Sequence, residues 1–230
     1  MFLEALLTQP GNAMMSWYPI YIDLKDSHCL IAGGGEVAYR KATGLLACEA
    51  RVTLIAPEIV PELEALAEKE ALLSLMYEEY SPRDLSGYQL VFAATDRHEV
   101  NAQVAADAVR AGVLVNVVDT PELCGFQAAA VVKRGPVQVA VHSGGVCPAL
   151  SAALRAELDA ALPEALDAYA EVLGEMRKRL QTICPDSVQR RRILEQLACR
   201  EFREQCPNKD VASIRRWIEA RIRPADCADY

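Results

Sequence analysis

What the chain lacks narrows it first. No apolar run approaches the length needed to cross a bilayer, so no membrane-spanning segment is expected. The opening stretch, Met1 to Gln9, is briefly apolar, but it carries Glu4 and has no basic residue ahead of its apolar run, which is not the pattern of a secretory leader. The cytoplasm is therefore the expected compartment, and the eight cysteines read as reduced thiols rather than a disulfide framework. No two of them stand in a Cys-x-x-Cys pair, which argues against a structural zinc site. Histidine is scarce, with only His28, His98 and His142. There is no internal repeat and no low-complexity tract, which sets aside solenoids and arrays. Positive charge is short as well: 24 Lys and Arg stand against 32 Asp and Glu, for a net charge of -8. A general nucleic-acid binder needs basic surface against phosphate, so no nucleic-acid partner is expected. The acidic excess lies before Pro163, and beyond it the charges nearly balance, which makes the C-terminal part the better place for an anionic ligand.

What is present fits a folded globular chain. At 230 residues and 52% hydrophobic, it has room for one substantial domain and a smaller one. From Trp17 to about Ala128, short apolar runs alternate with helix-like stretches. Strands are predicted at 29–32, 51–56, 72–77, 88–93 and 113–118, with helices at 36–47, 61–70 and 99–111. That alternation implies a parallel sheet covered by helices. Two β-rich runs follow, 129–132 and 137–141, around the turn sequence Lys133-Arg134-Gly135-Pro136. A helix is expected from Pro148 to about Leu162, since proline suits a first helical turn. From Pro163 the pattern is helical, with apolar stripes at Leu166, Tyr169, Ala170, Leu173 and Met176, at Ile193, Leu194, Leu197 and Phe202, and at Ile214, Trp217, Ile218 and Ile222. Pro224 to Tyr230 is expected to fray. The fold class read from this order is α/β: a Rossmann-like parallel sheet domain over 15–128, a β-hairpin segment over 129–162 and a helical domain over 163–230. The open edges of a lone hairpin would be a liability in a monomer, so pairing of two chains through it is expected.

The strongest local motif is Gly33-Gly34-Gly35-Glu36-Val37-Ala38, directly after the first strand. It fits Gly-x-Gly-x-x-Ala. Gly33 suits the tight turn, Gly35 lets backbone approach a pyrophosphate, and Ala38 allows close helix–strand packing. The N–H groups of Glu36 and Val37 open the helix on the phosphate side. The expected ligand is NAD. The second strand runs into Ala56-Pro57-Glu58, and Glu58 is the nearest acid for ribose hydroxyls; it equally suits a solvated residue opening a helix. No Arg or Lys follows that strand to meet a 2′-phosphate. Thr95, after the fourth strand, lines the cleft in such sheets, or else caps the helix before Glu99.

Taken in order, these pieces resemble a known family. Tyr18-Pro19-Ile20-Tyr21 precedes the glycine motif. Arg40-Lys41, Ala94-Thr95-Asp96, Asn101, Asn116-Val117-Val118-Asp119 and Phe126 follow it, and Ser143-Gly144-Gly145-Val146-Cys147-Pro148-Ala149-Leu150 comes last. The series is similar to the precorrin-2 dehydrogenase / sirohydrochlorin ferrochelatase family, the N-terminal module of siroheme synthase and its free-standing relatives, over roughly residues 17–180. The resemblance implies oxidation of precorrin-2 to sirohydrochlorin by NAD, in some members followed by insertion of ferrous iron, and a homodimer with tetrapyrrole substrates.

It also implies roles. Asp119 matches the family's catalytic aspartate. A carboxylate beside a hydride acceptor could take the proton shed when the hydride leaves; the plainer reading is that Asp119 opens the turn at Thr120-Pro121. Ser143 matches an active-site serine. Its Ser-Gly-Gly turn could be an anion-binding nest or an ordinary glycine turn. Where the family pattern continues Thr-Ser-Pro, this chain has Val146-Cys147-Pro148, so hydroxyl contacts from those two positions are not expected. His142 could assist metal delivery or be a surface histidine, and Cys147 could face a metal or fill a small buried space. The basic runs Arg177-Lys178-Arg179 and Arg190-Arg191-Arg192 cannot all face one way on a helix. Two other readings share the glycine loop: an oxidoreductase for a different small substrate, and a non-catalytic NAD-sensing domain.

Overall fold

The computed structural model describes residues 17–206 and 210–221. The sequence readings of Met1 to Gln9, Ile222 and Pro224 to Tyr230 lie outside the described residues. Two compact units divide between Ala128 and Ala129.

In the first unit, five apolar runs become parallel strands: β1 His28–Ala32, β2 Arg51–Ile55, β3 Leu73–Met76, β4 Leu90–Ala93 and β5 Leu114–Val117. They are ordered β3-β2-β1-β4-β5. Alternate residues of β1, β2 and β4 bury into opposite layers. Cys29, Ile31, Val52 and Leu54 pack with Ala38, Ala42 and Leu45 of α1 (Glu36–Leu46) and with Leu63 of α2 (Pro61–Ala67). Leu30, Val91, Ala93, Val115 and Val117 pack with Val104, Ala105 and Ala108 of α3 (His98–Ala111). Burial on both faces is why β1, β2 and β4 read as unbroken apolar runs. The chain passes from β1 to β2 on one side, and β4 lies against β1 on the other. The strand order therefore reverses at β1, and the crevice beyond the carboxyl ends of β1 and β4 is where ligands bind in open α/β sheets.

Some boundaries differ from the sequence reading. The fourth strand begins at Leu90 rather than Tyr88, because the Tyr88 N–H closes a turn onto Leu85 O. A short 3-10 turn, Pro121–Leu123, follows β5, where the sequence pattern marks no element.

The second unit begins with the hairpin β6 (Ala130–Arg134) and β7 (Val137–Val141). Lys133 and Arg134, read as turn residues, pair with Gln138 and Val137, leaving a two-residue turn whose first member, Gly135, has φ +54. Among the described residues five helices follow: α4 (Pro148–Ala161), α5 (Leu166–Ile183), α6 (Ser187–Ala198), α7 (Arg200–Gln205) and α8 (Val211–Glu219). Tyr169, Val172, Met176 and Leu180 of α5 share a core with Ile193 and Leu197 of α6 and with Ile214 and Ile218 of α8. The Tyr169 hydroxyl donates to Leu197 O at 2.6 Å. Asp186 and Asp210 cap α6 and α8 by accepting from the N–H groups of Val188 and Gln189 and of Ser213. Arg215 forks onto Glu175 through two bonds of 2.8 and 2.7 Å. Among the described residues, no helix is long and apolar enough to cross a membrane.

Candidate functional site

The first unit carries an open cleft of about 760 Å³ at the carboxyl ends of its strands. Cofactor sites commonly enclose about 300–1,000 Å³. Gly33, Gly35, Glu36, Val37, Pro57, Glu58, Thr95 and Asp119 all line it.

The glycine loop is fixed by its neighbours. Gly33 has φ +125, and a Cβ there would stand 2.2 Å from Ala94 O. At Gly34 a Cβ would meet Glu58 O at 2.1 Å. The Val60 N–H donates to Gly34 O, so the segment after β2 lies directly on the loop. The middle glycine, which the fingerprint leaves variable, is thus the one that admits the second loop. Gly35 faces open space: a Cβ there would have nothing within 4 Å. It is the N-cap of α1, with no side-chain cap, so the helix opens with free N–H groups and Glu36 and Val37 on the cleft. An uncapped helix start beside a glycine with open space suits a pyrophosphate, and the residues present fit a dinucleotide.

Around the far side of the cleft, sequence reasoning missed Glu79, Tyr80, Arg97 and Val100. The guanidinium of Arg97 pairs with Glu79 at 3.2 Å and Glu99 at 2.9 Å. The Tyr80 hydroxyl donates to buried Asp107 at 2.8 Å, and burial, then that bond, pushes the phenol far above its ordinary value. These residues sit in or beside connections without a motif, so no local signal marked them. Thr95 follows the first of its two sequence readings and not the second, because the N-cap of α3 is Arg97 and no side chain caps that helix. It lines the cleft, but its hydroxyl donates to Asn101 Oδ1 at 2.7 Å, and Asn101 Nδ2 returns to Thr95 O at 3.0 Å. Asn101 of the motif series is therefore the brace of this turn.

Asp119 follows β5, exposed on the cleft, with φ +58. Lys41 of the Arg40-Lys41 pair does not line the cleft; its ammonium lies 5.2 Å from the Phe92 ring centre, and burial lowers its pKa.

Ser143 and His142 belong to the second unit. The Ser143 hydroxyl donates to Cys147 O at 2.9 Å and accepts from Ser151 Oγ at 2.9 Å, tying the Ser-Gly-Gly turn to the start of α4. Gly144 and Gly145 both have positive φ, 68 and 80. His142 follows β7 and is exposed. Cys147 is the N-cap residue of α4. Among the described residues, no three His, Cys, Asp or Glu converge on a point that could hold a metal ion.

Comparison with known proteins matches this arrangement. A family model described as a putative NAD(P)-binding domain covers residues 20–130. The siroheme synthase of Chromobacterium violaceum is 41% identical over 208 residues, covering 90% of this chain and 44% of that protein. The siroheme synthase of Nitrosospira multiformis is 40% identical over 212 residues, covering 90% and 45%. The chain thus spans less than half the length of these relatives. A solved structure titled SirC, precorrin-2 dehydrogenase, superposes with a TM-score of 0.72 at 22% identity, covering 89% of this chain and 100% of that one. Along nine-tenths of its length the chain is thus similar to part of these siroheme synthases, and it shares the fold of the precorrin-2 dehydrogenase structure.

Proposed function

We propose that the chain is a dehydrogenase of siroheme biosynthesis that oxidises precorrin-2 to sirohydrochlorin with NAD. The observation that carries this is the sharing of one cleft by an uncapped helix start and by Asp119. The reaction removes one hydride and one proton from the tetrapyrrole. A nicotinamide dinucleotide, held by Gly33 to Val37 and the segment from Pro57, supplies the hydride acceptor. Asp119 accepts the proton and offsets the positive charge that the macrocycle gains as the hydride departs. Thr95, braced by Asn101, forms the part of the cleft wall that follows β4. The N–H groups of the Ser143-Gly144-Gly145 turn offer an anion nest for a substrate carboxylate, with Ser143 holding the turn's shape. The working form is a homodimer.

The test is anaerobic incubation of the protein with precorrin-2 and NAD, followed by absorption spectroscopy. Appearance of the sirohydrochlorin spectrum with matched NADH formation is the expected result. Turnover of another substrate only would favour a different oxidoreductase, and dinucleotide binding without any turnover would favour a sensing domain.

Iron insertion is proposed as a second, slower activity. Ferrous iron enters as substrate while two pyrrole N–H protons leave, and Asp119 is the base available for them after oxidation. His142 is a borderline ligand for the metal in transit. Sirohydrochlorin and ferrous iron, with and without protein, decide this: a rate equal to the protein-free control leaves dehydrogenation alone.

A further inference from the structure

Asp119 sits near the start of a loop that leaves β5 and returns to it. The return is made by backbone: Gly125 and Phe126 both donate to Val115 O, at 2.8 and 3.4 Å. Within the loop, Leu123 N–H donates to Thr120 O and Cys124 N–H to Pro121 O, each at 3.1 Å. One side chain gathers most of what remains. The sulfur of Cys124 accepts from the Val117 N–H at 3.2 Å and from Asn116 Nδ2 at 3.6 Å. Its S–H has two acceptors, Val117 O at 3.3 Å and Thr120 O at 3.5 Å. Asn116, 7% exposed, also donates to Phe126 O at 3.1 Å. The thiol is therefore bonded to the chain on both sides of Asp119, before it at Val117 and after it at Thr120.

Asp119 needs such support. Its φ of +58 is a conformation that a non-glycine residue holds only when its surroundings determine it. The sheet's own bonding reaches as far as Val118 N–H to Ala93 O, one residue short of the carboxylate. Resting on the reading of Asp119 as the proton acceptor, we infer that Cys124, steadied by Asn116, is a positioning residue: a thiol latch that holds the Asp119 carboxylate at its place in the cleft. The thiol suits the task because it accepts from N–H groups and donates to a carbonyl at the longer reach of sulfur. Alanine at 124 fills much of the space but makes none of these bonds. Serine keeps the donor and acceptor at shorter reach.

A double-mutant cycle with NAD and precorrin-2 tests the latch. Cys124→Ala is expected to lower kcat by about 10- to 100-fold, the size expected for a displaced reacting group. Dinucleotide Kd, which is set by the loops after β1 and β2, should stay within about twofold, since no bond in the latch touches those loops. Cys124→Ser should recover most of the loss. In an Asp119→Asn background, Cys124→Ala should cost almost nothing further, because the latch then holds a group that no longer takes the proton. Unchanged kcat in Cys124→Ala overturns the inference, and so does an equal loss in both backgrounds, which would mark a merely structural thiol. If alanine at 124 does not fold, Asn116→Ala carries the same cycle, and the same two results overturn the inference. Failure of the underlying reading looks different: Asp119→Asn itself would then turn over normally.

Discussion

At the scale of single residues, the site divides into groups that hold a cofactor by shape and groups that act by charge. Gly33 and Gly34 are of the first kind, since any side chain there would run into Ala94 or Glu58 backbone. Asp119 is of the second. Asp119→Ala and Asp119→Asn are expected to bind dinucleotide within about threefold of wild type while losing about 10²- to 10⁴-fold in turnover, the usual range for a lost general base; steady-state kinetics beside a binding titration checks this, and near-normal turnover in both removes Asp119 from the mechanism. Glu58 acts by charge too. It lines the cleft on a segment without Lys or Arg, and Arg97, which also lines it, is already committed to Glu79 and Glu99. A 2′-phosphate would meet repulsion and no free cation from these residues, so kcat/KM with NAD should exceed that with NADP, and Glu58→Ala should narrow the gap. Equal or better efficiency with NADP in the wild-type protein would contradict it. The sequence named these positions because a glycine fingerprint and the residues at strand ends are local features. Tyr80, Arg97 and Cys124 were not legible, because each matters through a partner distant in the chain or through loop geometry that no short pattern encodes.

At the scale of elements, the strands were legible because both faces of β1, β2 and β4 are covered, which writes them as apolar runs. The connection from β3 to β4 was not, because nothing periodic builds it. It is held instead by one carboxylate on α3. Asp107, 1% exposed, accepts from the Tyr80 hydroxyl at 2.8 Å, the Arg83 N–H at 3.3 Å, Gln103 Nε2 at 2.8 Å and Arg110 Nη2 at 2.9 Å. Burial works against its charge, but the Tyr80, Arg83 and Gln103 bonds and the Arg110 charge outweigh it and hold the carboxyl below its ordinary value. A carboxyl whose pKa is depressed on folding contributes stability that is complete above the unfolded value of about 3.9 and is lost as pH falls through the folded value. Asp107→Asn keeps the shape, removes the charge and turns two acceptor sites into donors. It is expected to cost about 1–3 kcal/mol at neutral pH. Its urea midpoint should also fall less steeply than that of the wild type as pH is lowered below about 4. Parallel pH profiles for the two proteins would show that Asp107 is not the group responsible.

At the scale of the whole molecule, the question is what covers the second unit's apolar surface. The hairpin β6–β7 is a sheet of only two strands, and such a pair is marginal alone. α4 packs on it, yet Ser151 is its only buried residue. Along its outer side Leu150, Leu154 and Leu158, spaced by four, are 50%, 38% and 38% exposed. A stripe at that spacing lies on one helical face. We propose that it meets the same stripe of a second chain. The sequence pattern could suggest a hairpin in need of cover but not this face, because leucines at fourfold spacing look alike whether they turn to a core or away from it. A symmetric interface uses each leucine twice. Fully burying a leucine is worth roughly 1.5–3 kcal/mol; Leu154 has 38% of its surface left to cover, so Leu154→Glu removes that smaller gain twice and places two carboxylates where two apolar groups met. Sedimentation velocity at micromolar concentration should then show a dimer for the wild-type chain and a monomer for Leu154→Glu, with the first unit's dinucleotide affinity unchanged in both. A monomeric wild type would end the proposal. A dimer that survives Leu154→Glu would move the interface off this face of α4 and leave the hairpin edges as the surface through which two chains pair.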